Sequence, residues 1–333
     1  MHLDAQQPAE LQAYLTRKGW ISDDEAIRQL TKPGEGNMNY TLRVETADRS
    51  LIVKQARGYV EKYPSIAAPA ERAVIEGRFY QKIAQHPALS QRMPTLLGLD
   101  EAQSVLVLED LGMASDYTAL YQPECKLHAD DARQLTAYLS VLHAQFATAE
   151  PDPTFANRAM RVLNHTHIFD LPFRPDNGFD LDTVQPGLQA LARPYQHDDA
   201  LRTAAQALGE HYLAEAPAGT SATLLHGDFY PGSWLRTTQG VRVIDPEFCF
   251  YGPAEFDLGV MLAHLYLAQQ DEALIRRVRT YYAHPDDFNE RLLAQFTGIE
   301  LLRRLIGLAQ LPLSLSVSEK AALLKQGAAL VLG

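Results

Sequence analysis

Cysteine is nearly missing from this 333-residue chain, which has only Cys125 and Cys249. Two are too few for the disulfide framework of a secreted domain, and they lie at no metal-ligand spacing, so both read as buried or idle thiols. A basic excess is missing too. Against 41 Asp and Glu stand 30 Lys and Arg, a net charge of -11. That balance excludes nucleic acid and anionic membrane as partners, because both demand a cationic footprint. An anionic substrate must then be met by a local positive site. No apolar run is long enough to cross a bilayer; the most apolar stretch, 256–268, is short and contains Asp257. The first 14 residues carry acids and amides instead of the basic start and apolar run of a signal peptide, so a cytoplasmic location is expected. Nor is 46% hydrophobic with 21% charged the composition of a disordered chain.

What is present suggests two lobes, since a chain of this length exceeds the size at which one core keeps growing. Leu11, Tyr14 and Leu15 recur at helical spacing, and Ser22 before Asp23, Asp24 and Glu25 reads as an N-cap with an acidic first turn. Two short leading helices are expected. Two β-like runs follow, 40–45 and 51–55, around the turn-like 47–50: a hairpin. The stripe Ile75, Phe79, Ile83 predicts a helix within 69–86, and 104–109 reads as a compact strand. From Ala129 onward helix dominates, interrupted by the Pro- and Asn-bearing stretch 151–177, which reads as a surface excursion. Strand signals return only at 234–235 and 241–244. A β-rich first third before a helical remainder predicts an α+β fold with segregated lobes, 1–111 and 112–333, not a doubly wound sheet.

Several short patterns suit chemistry. Gly34-Glu35-Gly36-Asn37-Met38-Asn39 precedes the hairpin, where glycines let backbone amides approach phosphate oxygens. Lys54 ends the apolar strand Leu51-Ile52-Val53, and a carboxylate on the next helix could hold it against phosphates; Glu76, beside the packed stripe, and Glu71 are both in reach by spacing. Val105 to Leu111, containing Glu109, reads as a buried strand running into a connector whose backbone could bond an adenine edge. The strongest signal is Leu224-Leu225-His226-Gly227-Asp228, then Gly232-Ser233, then Val243-Ile244-Asp245-Pro246-Glu247. Two acidic clusters each follow an apolar run. Phosphoryl transfer needs one carboxylate to orient the attacking hydroxyl and take its proton, a role that suits Asp228. It needs others for Mg²⁺, which prefers a few carboxylates completed by water and phosphate; Asp245 and Glu247 suit that. His226 reads as a scaffold histidine, and no G-x-S-x-G elbow supports a hydrolase. Arg303 and Arg304 sit in an apolar helix, where neighbours diverge by roughly 100°, so one would face solvent and the other needs a partner. A structural salt bridge and substrate binding both remain open.

In this order, the glycine loop, lysine strand, acidic helix, connector, His-Gly-Asp and Asp-Pro-Glu resemble the aminoglycoside and choline kinase superfamily, from about Gly34 to about Gly307. The details look most like its methylthioribose kinase branch: Val53-Lys54-Gln55-Ala56, Glu109-Asp110-Leu111, Ser233 where the superfamily commonly has Asn, Asp245-x-Glu247, and the pair Arg303-Arg304. The resemblance implies a bilobal protein-kinase-like fold and transfer of phosphoryl from ATP to the 1-hydroxyl of methylthioribose or a similar small hydroxyl acceptor. It implies Asp228 as base, Asp245 and Glu247 for Mg²⁺, and Lys54 with Glu76 for phosphates. It also makes Gly34, Gly36, Asn37 and Asn39 a lid over ATP, places Glu109 and Leu111 beside the nucleotide, and brings Ser233 and both arginines to the sugar. Asp257 would brace the catalytic loop. The section 128–220 matches no motif of that family, which leaves the exact sugar open. Oligomeric state is open too, a homodimer among the options. A nucleotide-binding module without catalysis is the rival, but every carboxylate the chemistry needs is present.

Overall fold

A computed structural model of the chain describes residues 2–34, 38–214 and 222–333. The chain gathers into two compact units, one made of 1–115 with 237–249 and the other of 116–236 with 250–333.

In the first unit, helix α1 (Pro8–Arg17) precedes strands β1 (Gln29–Thr31), β2 (Tyr40–Glu45) and β3 (Ser50–Gln55). Helix α2 (Arg72–Ile83), β4 (Leu96–Asp100) and β5 (Val105–Glu109) follow. The strands form one antiparallel sheet in the order β1-β2-β3-β5-β4. Alternation along the strands decides what each face meets. Leu42, Val44, Leu51, Val53, Val105 and Val107 are buried with Leu11, Tyr14 and Leu15 of α1. Lys54 has the opposite parity. It pairs in register with Thr41 and Leu106, on the face that α2 covers. Gly98 in β4 lies so close to Trp20 that a Cβ there would meet the indole at 2.0 Å. That glycine, with a register shift between Leu96 and Gly98, breaks the alternation by which β4 could have been read.

One expected element is not formed: 22–25 closes a single turn, Glu25 N–H to the Ser22 carbonyl at 3.1 Å, and no second leading helix follows. Arg49 grips the Glu25 carboxylate from Nε at 2.9 Å and Nη2 at 3.1 Å, and the Thr46 hydroxyl adds a bond at 2.8 Å. Sheet pairing has already begun at Arg28, whose N–H donates to the Glu45 carbonyl. The intervening residues are too few for a helix.

The second unit is helical: α3 (Ala129–Gln145), α4 (Arg158–His165), α5 (Leu188–Gln196) and α6 (Asp199–Leu213). The strand pair β6 (Thr223–Leu225) and β7 (Phe250–Gly252) leads to α7 (Glu255–Leu267), α8 (Glu272–Tyr281), α9 (Glu290–Ile306) and α10 (Val317–Leu332). All of α7 except Tyr266 is buried, as befits a helix that is apolar nearly all round. The stretch 151–177 is not a surface excursion. It forms α4, a π-helical turn Thr166–Asp170 and a 3₁₀ turn Leu171–Phe173, and Met160, Ile168, Phe169 and Phe173 are buried. Asn157 stands at the N-cap of α4, Pro172 lies in the first turn of the 3₁₀ piece, and Pro175 and Asn177 follow it, so punctuation hid the packed face between them. Among the described residues no helix is long and apolar enough to cross a membrane.

Candidate active site

In the first unit the Lys54 ammonium donates to Glu76 Oε1 at 2.9 Å. Of the two partners left open by spacing, the structure pairs Lys54 with Glu76, which is fully buried, while Glu71 is exposed at the mouth of α2. Lys54 also pairs with Asp245. Asp245 sits at φ +64°, in the left-handed region that an Asp tolerates better than most residues. Its neighbour Glu247 is buried and accepts from Asn39 Nδ2 at 2.9 Å. Burial, with the Glu76 charge nearby, pushes the Glu247 carboxyl up to about 7, against the pull of Arg72, Lys54 and Asn39.

Arg72 organises this cluster and was not singled out from the sequence. It is wholly buried and donates to Asn39 Oδ1 at 2.8 Å and to the carbonyls of Met38, Arg57, Tyr59 and Pro69. Its Nε lies 3.4 Å from Glu247 Oε2. One guanidinium thus ties Met38 and Asn39, at the base of the glycine loop, to the Asp-Pro-Glu carboxylate. No local pattern announces it, because its acceptors come from three separate segments. Gly34 is exposed; Gly36 and Asn37 lie outside the described residues. The Glu109 N–H donates to the Thr95 carbonyl at 2.9 Å, and its carboxylate accepts from Thr95. Leu111, half-buried, precedes Gly112, which turns the chain at φ +73°.

In the second unit the loop 226–233 leaves β6 and is held from α7. Asp257, with no exposed surface, accepts the His226 N–H at 2.6 Å and the Gly227 N–H at 2.9 Å, and meets His143 Nε2 at 3.2 Å. Gly227 turns at φ +87°, which a side chain would resist. His226 is fully buried against Phe229, and its Nδ1 accepts the Asp228 N–H at 3.4 Å. Ser233, expected beside the sugar, is only 2% exposed, and its hydroxyl donates to the Asp228 carbonyl at 2.9 Å. Its present partner is the loop itself. The Asp228 carboxylate is part-exposed and accepts at Oδ1 from Arg304 Nη2 at 3.2 Å and Arg303 Nη2 at 3.5 Å.

Neither arginine faces solvent: Arg303 is 7% and Arg304 6% exposed. Both have the same partner on their own helix, because Glu300 receives Arg303 Nε at 2.6 Å and Arg304 Nε at 2.7 Å. Helix geometry allows this at i+3 and i+4. The spacing Glu300, Arg303, Arg304 was thus a legible signal for a three-residue cluster. Burial opposes ionisation of Glu300, but the two guanidiniums and His264 outweigh it and hold the carboxyl well below its ordinary range.

A model of the phosphotransferase enzyme family matches residues 29–293. The chain is similar to the methylthioribose kinase of Geobacillus sp. (strain WCH70), 28% identical over 323 residues that cover 83% of this chain and 77% of the relative. Among solved structures it is similar to the choline kinase from Streptococcus pneumoniae, with a TM-score of 0.54 at 12% identity over 98% of this chain and 99% of that one. The spectinomycin phosphotransferase in complex with ADP and spectinomycin has a TM-score of 0.52 at 14% identity over 100% and 99%. These likenesses show the fold, which is protein-kinase-like.

Proposed function

The chain belongs to the phosphotransferase enzyme family and is an ATP-dependent kinase acting on a hydroxyl group, and from that premise we propose that its acceptor is the 1-hydroxyl of 5-methylthioribose or a closely similar sugar. The observation that carries this is the pairing of Asp228 with Arg303 and Arg304 in the second unit. Two guanidinium ends beside the base donate to the hydroxyl oxygens of a neutral sugar. They oppose a quaternary ammonium or an aminoglycoside polycation, the other acceptors this family could supply.

Both guanidiniums converge on Oδ1, which leaves Oδ2 to accept the proton of the acceptor hydroxyl. As that proton leaves, the acceptor oxygen bonds to the γ-phosphorus, the bond to the bridging oxygen breaks, and ADP departs with its electron pair. Lys54, held by Glu76, meets the phosphate oxygens. We assign Asp245 and Glu247 as the residues that would hold Mg²⁺, which would supply charge neutralisation to the phosphates when bound. The donor set fits: the two carboxylates supply the hard oxygens that Mg²⁺ prefers, and Glu247 is held in place by Asn39 and Arg72. Among the described residues no group of three or more His, Cys, Asp or Glu forms a metal cage. A site completed by water and phosphate does not require one.

ADP release measured over methylthioribose, choline, aminoglycosides, homoserine and simple pentoses tests the acceptor. Methylthioribose should dominate; turnover of choline or an aminoglycoside with none of methylthioribose reassigns it. Asp228→Asn should keep nucleotide affinity within about twofold while kcat falls by roughly three orders of magnitude.

A further inference from the structure

Behind the arginine pair, three side chains continue the network away from Asp228. Glu300 is 1% exposed and is gripped at three points: Arg303 on Oε2, and Arg304 together with His264 Nε2 (3.0 Å) on Oε1. His264, on α7, has no exposed surface, and its Nδ1 meets the Tyr121 hydroxyl at 2.6 Å. The Tyr230 ring lies against both His264, with centroids 5.1 Å apart, and the Arg304 guanidinium, 5.0 Å from its centroid.

We propose that Tyr121, His264 and Glu300 form a positioning relay that aims Arg303 and Arg304 at Asp228 and at the acceptor. The proposal rests on the reading of Asp228 as the base. Its logic is one of counted protons. A neutral imidazole has one N–H; the Glu300 carboxylate claims it at Nε2, so Nδ1 must accept, and the Tyr121 hydroxyl is placed to donate. Burial keeps His264 in that neutral form and keeps the tyrosine protonated. Tyr121 therefore selects the tautomer, the tautomer anchors Glu300, and Glu300 anchors both guanidiniums at Nε. A guanidinium is planar, so fixing Nε fixes the direction of Nη2, which is the atom each arginine turns on Asp228. Stability alone does not call for this arrangement. Hydrocarbon packed between α7 and α9 here would serve stability as well, because buried charges repay their desolvation only partly.

Steady-state kinetics on the full chain, with whichever acceptor the wild type turns over best, test the relay independently of methylthioribose. His264→Leu should raise the acceptor KM about tenfold and lower kcat, with the KM for ATP within about twofold of wild type. His264→Gln, whose amide nitrogen can replace Nε2 as donor and whose oxygen can accept from Tyr121, should recover most of the loss. Tyr121→Phe should move acceptor kcat/KM about threefold in the same direction. The relay is overturned if His264→Leu leaves acceptor kcat/KM within twofold, if Gln is as damaged as Leu, or if the KM for ATP rises in step. Should His264→Leu not fold, Tyr121→Phe decides, and unchanged acceptor kinetics then overturn the relay. Full activity in Asp228→Asn would instead remove the base reading on which it rests.

Discussion

Arg72 concentrates more hydrogen bonds than any motif residue of the first unit, and a lysine cannot imitate its planar fork. Arg72→Lys should release Met38 and Asn39 and leave Glu247 with less compensation. The expected outcome is destabilisation by roughly 3 kcal/mol in urea unfolding and a raised KM for ATP, with the acceptor KM little changed. Wild-type stability in that variant would show that its partners are satisfied without it. Residues of this kind escape a reading of the sequence. Lys54 and Asp228 stand at the ends of apolar runs and announce themselves, whereas Arg72 looks like any helical arginine until the segments it joins are folded together.

At the scale of elements, the polar stripe of α7 explains how one buried helix serves the loop 226–233 and the arginine pair together. Asp257 and His264 are seven residues apart and so share a face. The first holds the loop amides and the second holds Glu300. Close crossings keep that face in place. A Cβ on Gly259 would lie 2.8 Å from Phe296 Cβ and 3.1 Å from the Thr297 nitrogen of α9, and one on Gly298 would lie 2.5 Å from the Gly327 carbonyl of α10. Gly298→Ala presses on backbone, which cannot swing aside, so it should cost about 1–3 kcal/mol in denaturant unfolding. An unchanged midpoint would mean that the α9–α10 contact is looser than its geometry. The apolar stretch 256–268 and the apolar helix around Arg303 were readable in the residues, but no spacing could tell which glycine faces which backbone.

For the whole molecule, the buried cluster in the second unit predicts a pH response. Burial holds His264 near 4, below its ordinary 6.5, against the raising influence of Glu300 and with Arg304 acting in the same direction as burial. The unfolded chain therefore takes up a proton between about pH 6.5 and 4 that the folded chain refuses, so stability falls with pH across that window. Glu300, depressed by its arginines, adds a loss of the same sign below its ordinary 4.5. Glu247, raised to about 7, acts in the opposite sense over part of this window, so the histidine is read from a difference: between pH 7 and 4 the thermal stability of His264→Gln should fall less steeply than that of the wild type, and equal slopes would assign the acid sensitivity elsewhere. The α+β order, the β2–β3 hairpin, the pairing of Lys54 with a following carboxylate and the two acidic clusters were legible in the residues, because each depends on local alternation, helical period or a short motif. Folding alone decided that 237–249 joins the first unit, that 151–177 is packed, that Ser233 turns inward and that His264, from another helix, joins Glu300 and its two arginines. Those outcomes depend on which distant segments meet and on how buried charges find partners, and neither is written in the spacing of neighbours along a chain.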